Sequence, residues 1–196
     1  MKISGLKGIT GQVKIKNKNS GNNSIIQNPN VYSGSADNTV KKIDSSGNEL
    51  WTFTGHTAIV FSVAVDASGN VYSSSRDDTL KKLDSSGNEL WTFTGHTARV
   101  FSVAVDASGN VYSGSEDNTV KKIDSSGNIV WTFNTGGSRV VGVSVDQSGN
   151  VYAASFDDNA VIKLDSDGNH VWTFSGHTSF VRKVAVDPGR YPIFWS

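Results

Sequence analysis

Beyond residue 30 the chain alternates apolar and polar positions in short runs, each closed by a cluster of turn-forming residues. The first run is VYSGS (31–35) and the second is TVKKI (39–43), with Val40 and Lys42 on one side and Lys41 and Ile43 on the other. ELWTF (49–53) and VFSVAV (60–65) follow, the last with Val60, Ser62 and Ala64 opposed to Phe61, Val63 and Val65. A period of two in β-branched and aromatic residues predicts strands. The clusters between them are ADN, DSSGN, TGHT and DASGN. Asp and Asn side chains there close Asx-turns, and Gly47 and Gly69 supply the positive φ of a bulged hairpin. No stretch has a 3.6-residue period, so almost no helix is expected.

The pattern returns every forty residues. Residues 71–110 repeat 31–70 with changes at positions 34, 36, 38, 40, 43 and 59 only. A third copy fills 111–150, and a fourth begins at Val151 with one extra residue near Asn159–Ala160. Four short strands per unit read as an antiparallel meander, which cannot bury both faces alone. Stacking the units around an axis buries them. The expected fold is all-β: a β-propeller of four-stranded antiparallel blades, with four 40-residue repeats per chain. Residues 31–190 form the propeller in this reading. Residues 1–30 form a basic arm or cap with one strand in QVKIKNK (12–18), and 191–196 an apolar tail.

The run GHTxxVFSVAVDxSGNVYSGSxDNTVKKID resembles a WD40 repeat. Gly55–His56 matches that family's GH, Ser73 its inner-strand serine and Asp77 the aspartate of its tight turn. Asp84 matches the D of WD, but Ile43, Leu83 and Ile123 stand where the Trp is expected. The resemblance implies buried hydrogen-bonded sets His56–Ser73–Asp77 and His96–Ser113–Asp117. GNELWTF is also similar, more weakly, to the Trp-bearing repeat of quinoprotein propellers, with Trp51, Trp91, Trp131 and Trp172 expected between blades.

The family's blade order, outer strand first, implies three complete blades at roughly 48–84, 88–124 and 128–165, with half-blades at 31–44 and 169–187. Joining the two halves by strand exchange would close the ring without a free edge. His177 would then meet Ser33 and Asp37. Closure within one chain gives four blades; closure between two chains gives a homodimeric ring of eight. The third spacer, NTGGSRVVGVSV, loses its His at Gly137, and Ala153 replaces the serine, so the blade after it should be the loosest.

Composition narrows the function. Eighteen Lys plus Arg balance eighteen Asp plus Glu, so nucleic acid is not an expected partner on charge. Five lysines (2, 7, 14, 16 and 18) precede the first acid, Asp37. The absence of Cys excludes thiolate metal sites and Cys nucleophiles. No membrane span is expected, and MKISGLKGIT lacks the apolar core of a signal peptide. Localisation stays open between cytoplasm and a virion. The GHT histidines lack the HExxH spacing of a metal site, and the aspartates of the turns lack the donor pattern of a Ca²⁺ loop. No GxSxG, GxGxxG or P-loop occurs, so no enzyme activity and no cofactor are expected.

The near-identical units differ mainly at two turns. Ala36, Arg76, Glu116 and Phe156 occupy one; Ile59, Arg99, Arg139 and Phe180 the other. Both turns fall on one rim of a WD40-like blade, so Ile59, Arg76, Arg99, Glu116, Arg139, Phe156 and Phe180 are the candidate partner-binding residues. The expected function is a non-enzymatic scaffold that binds a protein partner or its own copies. Two other readings stay open: a structural component of a larger particle such as a phage virion, and a carbohydrate-binding propeller using its Trp rows.

Overall fold

The alternating runs become fifteen strands in a computed structural model that describes residues 29–187. The first sheet has three: β1 (Val31–Gly34), β2 (Val40–Ile43) and β3 (Glu49–Phe53). The second holds β4 (Val60–Val65), β5 (Val71–Ser75), β6 (Leu80–Leu83) and β7 (Glu89–Phe93). The third holds β8 (Val100–Val105), β9 (Val111–Ser115), β10 (Thr119–Ile123) and β11 (Ile129–Asn134). The fourth holds β12 (Val140–Val145), β13 (Val151–Ser155), β14 (Ala160–Leu164) and β15 (His170–Phe174). All pairings are antiparallel between strands adjacent in sequence, and the described residues contain no helix. The basic arm (all but its last two residues) and the apolar tail at 191–196 lie outside the described residues.

The blade boundaries differ from those expected at 48–84, 88–124 and 128–165. Each sheet begins after the GHT-type link, so β3 pairs with β2 and β7 with β6. Local hydrogen bonding explains this. In the DSSGN turn the Asp44 N–H donates to the Asn48 carbonyl (2.9 Å) and the Gly47 N–H to the Asp44 carbonyl (3.1 Å), a hairpin that holds its two strands together. The link from Phe53 to Val60 crosses to the next sheet instead. Each such hairpin also carries a register shift, as between Lys42 and Ile43.

Strand exchange between head and tail is not made within the described chain. β1 pairs with β2 alone, β15 pairs with β14, and residues 175–187 form no strand. Val31–Asp44 and His170–Asp187 therefore lie in separate parts of the fold.

The core lies between successive sheets. Val71, Val111 and Val151 are fully buried, as are Leu83, Ile123 and Leu164 at the position where a WD40 repeat carries Trp. Each such side chain contributes on the order of 2 kcal/mol by leaving water. The Trp rows join one sheet to the next: the Trp51 indole N–H donates to the Ser85 carbonyl (3.3 Å), and the Lys42 ammonium donates to the same oxygen (2.8 Å). Gly87 makes this approach possible. Its φ is +90, and a Cβ there would fall 2.9 Å from the Trp51 ring.

Candidate interaction surface

The turn that follows β5 is built around His56. Its ring is buried, with Nδ1 2.8 Å from Asp77 Oδ2 and Nε2 2.8 Å from Ser73 Oγ. A carboxylate only accepts, so Nδ1 carries the proton and Nε2 accepts from the Ser73 hydroxyl. The Thr57 N–H (2.9 Å) and the Thr79 hydroxyl (2.6 Å) also donate to Asp77. Burial holds the His56 pKa below its ordinary value, against the opposing pull of Asp77. Burial alone would raise Asp77, yet the donors from Thr79, Thr57 and His56 outweigh it and lower its pKa. His96, Ser113 and Asp117 repeat the set at 2.7 and 2.8 Å.

The structure does not bring His177, Ser33 and Asp37 together. His177 is exposed and rests edge-on against Phe174, while Asp37 is exposed and accepts from Thr39. The two segments stand at opposite ends of the row of sheets. In the fourth sheet, where Gly137 replaces the His, Ser138 takes over. Its buried hydroxyl accepts from the Asp157 N–H (2.9 Å), and Ser155 donates to Asp158 (2.8 Å). Nothing in the sequence spacing pointed to Ser138; its neighbour Gly137 drew attention to the loss and not to the substitute.

The variable residues lie in adjoining turns. The Arg76 N–H donates to the Ile59 carbonyl (2.8 Å), Glu116 to Arg99 (2.9 Å) and Phe156 to Arg139 (2.9 Å). Arg76 is exposed, and Arg99 lies 3.5 Å from Glu116. Arg139 grips Asp157 with two bonds (3.0 and 2.6 Å) and lies 4.6 Å above the Phe156 ring. Arg139 holds the Asp157 carboxyl down at about 2. Phe180 stacks on Phe156 at 4.3 Å, and Arg182 approaches the same ring at 5.6 Å. The rim is thus a cationic and aromatic cluster at one end that grades into ion-paired and aliphatic positions.

The other rim is occupied by its own hydrogen bonds. Asp66 accepts from the Ser68 and Asn70 N–H groups, from the Asn70 amide and from the Tyr72 hydroxyl. Asp106 and Asp146 repeat this arrangement, and the carboxylates of Asp44, Asp84, Asp124 and Asp165 are tied up by their own turns. These aspartates are turn formers. Trp51, Trp91 and Trp131 are half-buried between sheets with their N–H groups bonded.

Stacked four-stranded meanders with these inter-sheet joints have the architecture of a β-propeller. The family model for outer membrane protein assembly factor BamB matches residues 36–172, and the chain belongs to that family. No curated protein matches the chain. Among solved structures, a chain of "Crystal Structure of Mitotic Checkpoint Complex" superposes with a TM-score of 0.72 at 22% identity. The match covers 79% of this chain and 49% of that one, so this chain spans about half the length of its structural neighbour. With 1107 solved chains matching, the likeness fixes an architecture and does not select a task.

Proposed function

We propose that the chain is a non-enzymatic scaffold that binds a protein partner through the rim bearing Ile59, Arg76, Arg99, Glu116, Arg139, Phe156 and Phe180. One observation carries the reading: units that are otherwise nearly identical change between aliphatic, basic, acidic and aromatic residues on this rim, while the DASGN and DSSGN turns of the other rim stay nearly constant. Arginine and aromatic side chains are the common anchors of protein interfaces. The exposed Arg76 guanidinium suits an acidic group of the partner, and the stacked Phe156–Phe180 pair an apolar one.

The experiment is cross-linking mass spectrometry with the purified chain as bait, followed by binding of each captured partner to variants. Arg76→Glu and Phe180→Ala should each weaken binding about tenfold or more, as anchor losses do. Ser86→Asp on the other rim should leave it unchanged. Equal binding by all three variants overturns the rim assignment.

A further inference from the structure

Among the described residues the joint between neighbouring sheets is made three times, and half of a fourth stands open on the first sheet and on the last. At the three joints the N–H groups of Trp51, Trp91 and Trp131 donate to the carbonyls of Ser85, Ser125 and Ser166 (3.3, 3.2 and 3.1 Å). Lys42, Lys82 and Lys122 reach the same three oxygens (2.8, 3.0 and 3.2 Å). The last sheet carries the next pair. Lys163 sits 5.4 Å over the Tyr152 ring, as Lys82 does over Tyr72, and Trp172 is 40% exposed. The matching receptor is at the other end. A Cβ on Gly87, Gly127 or Gly168 would meet a Trp ring within 4 Å, whereas one on Gly47 meets nothing. Val31 is 55% exposed, although its equivalents Val71, Val111 and Val151 are fully buried.

The strands are complementary too. Among the described residues the first sheet has no counterpart of the inner strand that the other three possess. Residues 181–186 match β4 at four of six positions and already lie on the last sheet: Val181 is buried, and the backbone of Arg182 and Lys183 comes within 3.3 and 3.1 Å of a Cβ placed on Gly142. Val184, Ala185 and Val186 line an open cavity of about 340 Å³ with Tyr152 and Val161. At the second joint Val111 and Ile123 belong to the same buried cluster as Tyr72. Their equivalents in the first sheet are Val31 and Ile43.

We infer that the first sheet of a second copy occupies this face, so that two chains joined head to tail form one ring of eight sheets. Residues 181–186 add to β1 of the second copy in the register seen between β4 and β5. Val184 faces Ser33, Ala185 faces Tyr32 and Val186 faces Val31, as Val63, Ala64 and Val65 face Ser73, Tyr72 and Val71. Val31 and Ile43 of the second copy fill the cavity, and Lys163 and Trp172 donate to its Ser45 carbonyl. His177 takes against Ser33 and Asp37 of the second copy the place His56 holds against Ser73 and Asp77. A head-to-tail contact gives a finite assembly when its rotation closes, and two equivalent joints close this one. The inference does not rest on the partner-binding rim, and it is tested with different residues.

The test uses the absence of Cys from the chain. In the double variant Val31→Cys, Val186→Cys the two thiols replace a pair equivalent to Val65 and Val71, which face each other across antiparallel strands. That spacing is within disulfide reach. Oxidation should give a reducible species of twice the 20.9 kDa chain on a denaturing gel. Light scattering of the unmodified protein should give the same doubled mass. Trp172→Ala should raise the concentration of half-dissociation at least tenfold. A disulfide formed without change of mass means closure within one chain and overturns the inference. So do two free thiols, a single-chain mass by scattering, an open-ended ladder of masses, or a Trp172→Ala protein that dissociates like the parent.

Discussion

The His96 imidazole is held 2.7 Å from the Asp117 carboxylate, with both side chains almost wholly out of water. The pair closes the link before β8 onto the turn after β9, and Ser113 completes it on the other ring nitrogen. His96→Ala would leave a buried carboxylate short of a donor and a buried hydroxyl short of an acceptor. Urea unfolding should show a loss of about 3 kcal/mol, the size expected when one member of a buried pair is removed. A parental midpoint would mean that water replaces the ring at no cost.

The His56 set makes stability depend on pH. The folded chain holds His56 below its ordinary pKa of 6.5, mainly through burial, so the unfolded chain takes up the proton first. The stabilisation is complete above that value and declines as pH falls below it. Asp77 is lowered from 3.8 and adds a second decline below that pH, where the unfolded chain is protonated and the folded one resists. The urea midpoint should fall between pH 7 and pH 5 in the parent and fall less in His56→Gln. Equal slopes would remove His56 as the source.

Ser74 is fully buried, and its hydroxyl has no hydrogen-bond partner. Gly34, Gly114 and Ala154 stand at the equivalent positions, so the second sheet alone carries a hydroxyl there. Ser74→Ala keeps the Cβ and removes the stranded polar group. It should raise stability by about 1 kcal/mol, measured by denaturant titration; a loss would show that the hydroxyl is satisfied in solution.

Asp78 adopts a φ of +66, as Asn38, Asn118 and Asn159 do in their own turns. Asp and Asn tolerate this conformation and β-branched residues do not. Asp78→Asn should be neutral, whereas Asp78→Val should cost about 1–2 kcal/mol. Two variants of equal stability would show that the turn relaxes.

Trp91 separates packing from hydrogen bonding at a joint. Trp91→Phe loses the N–H bond to Ser125 and part of the indole ring but keeps an aromatic side chain, and should cost about 1–2 kcal/mol. Trp91→Ala also empties the space against Gly127 and should cost about 3 kcal/mol. The two are compared by urea unfolding at one protein concentration, and equal losses would refute the packing role.

Strand positions were legible because the period of two is strict: ELWTF and VFSVAV became β3 and β4 residue for residue. The WD40 resemblance implied contact among His56, Ser73 and Asp77, and the structure makes both contacts across 17 and 21 residues. The same resemblance misplaced the blade boundaries, because it divides the repeat with its outer strand first, whereas the hydrogen bonds of Asp44 tie β3 to β2 in one sheet. The meeting of His177 with Asp37 was a statement about closure, which no local pattern encodes. Ser138 was invisible for another reason: one hydroxyl replaced a ring by shifting a single position.

The uniform joint has a consequence for how such a chain changes length. Trp51, Trp91 and Trp131 each dock on the same serine carbonyl one unit onward, so every unit presents the same plug and the same socket. A gene that gained or lost one whole unit would still encode neighbours that fit. Growth by duplication therefore starts from a foldable product, and selection is left to work on the few side chains where the units disagree.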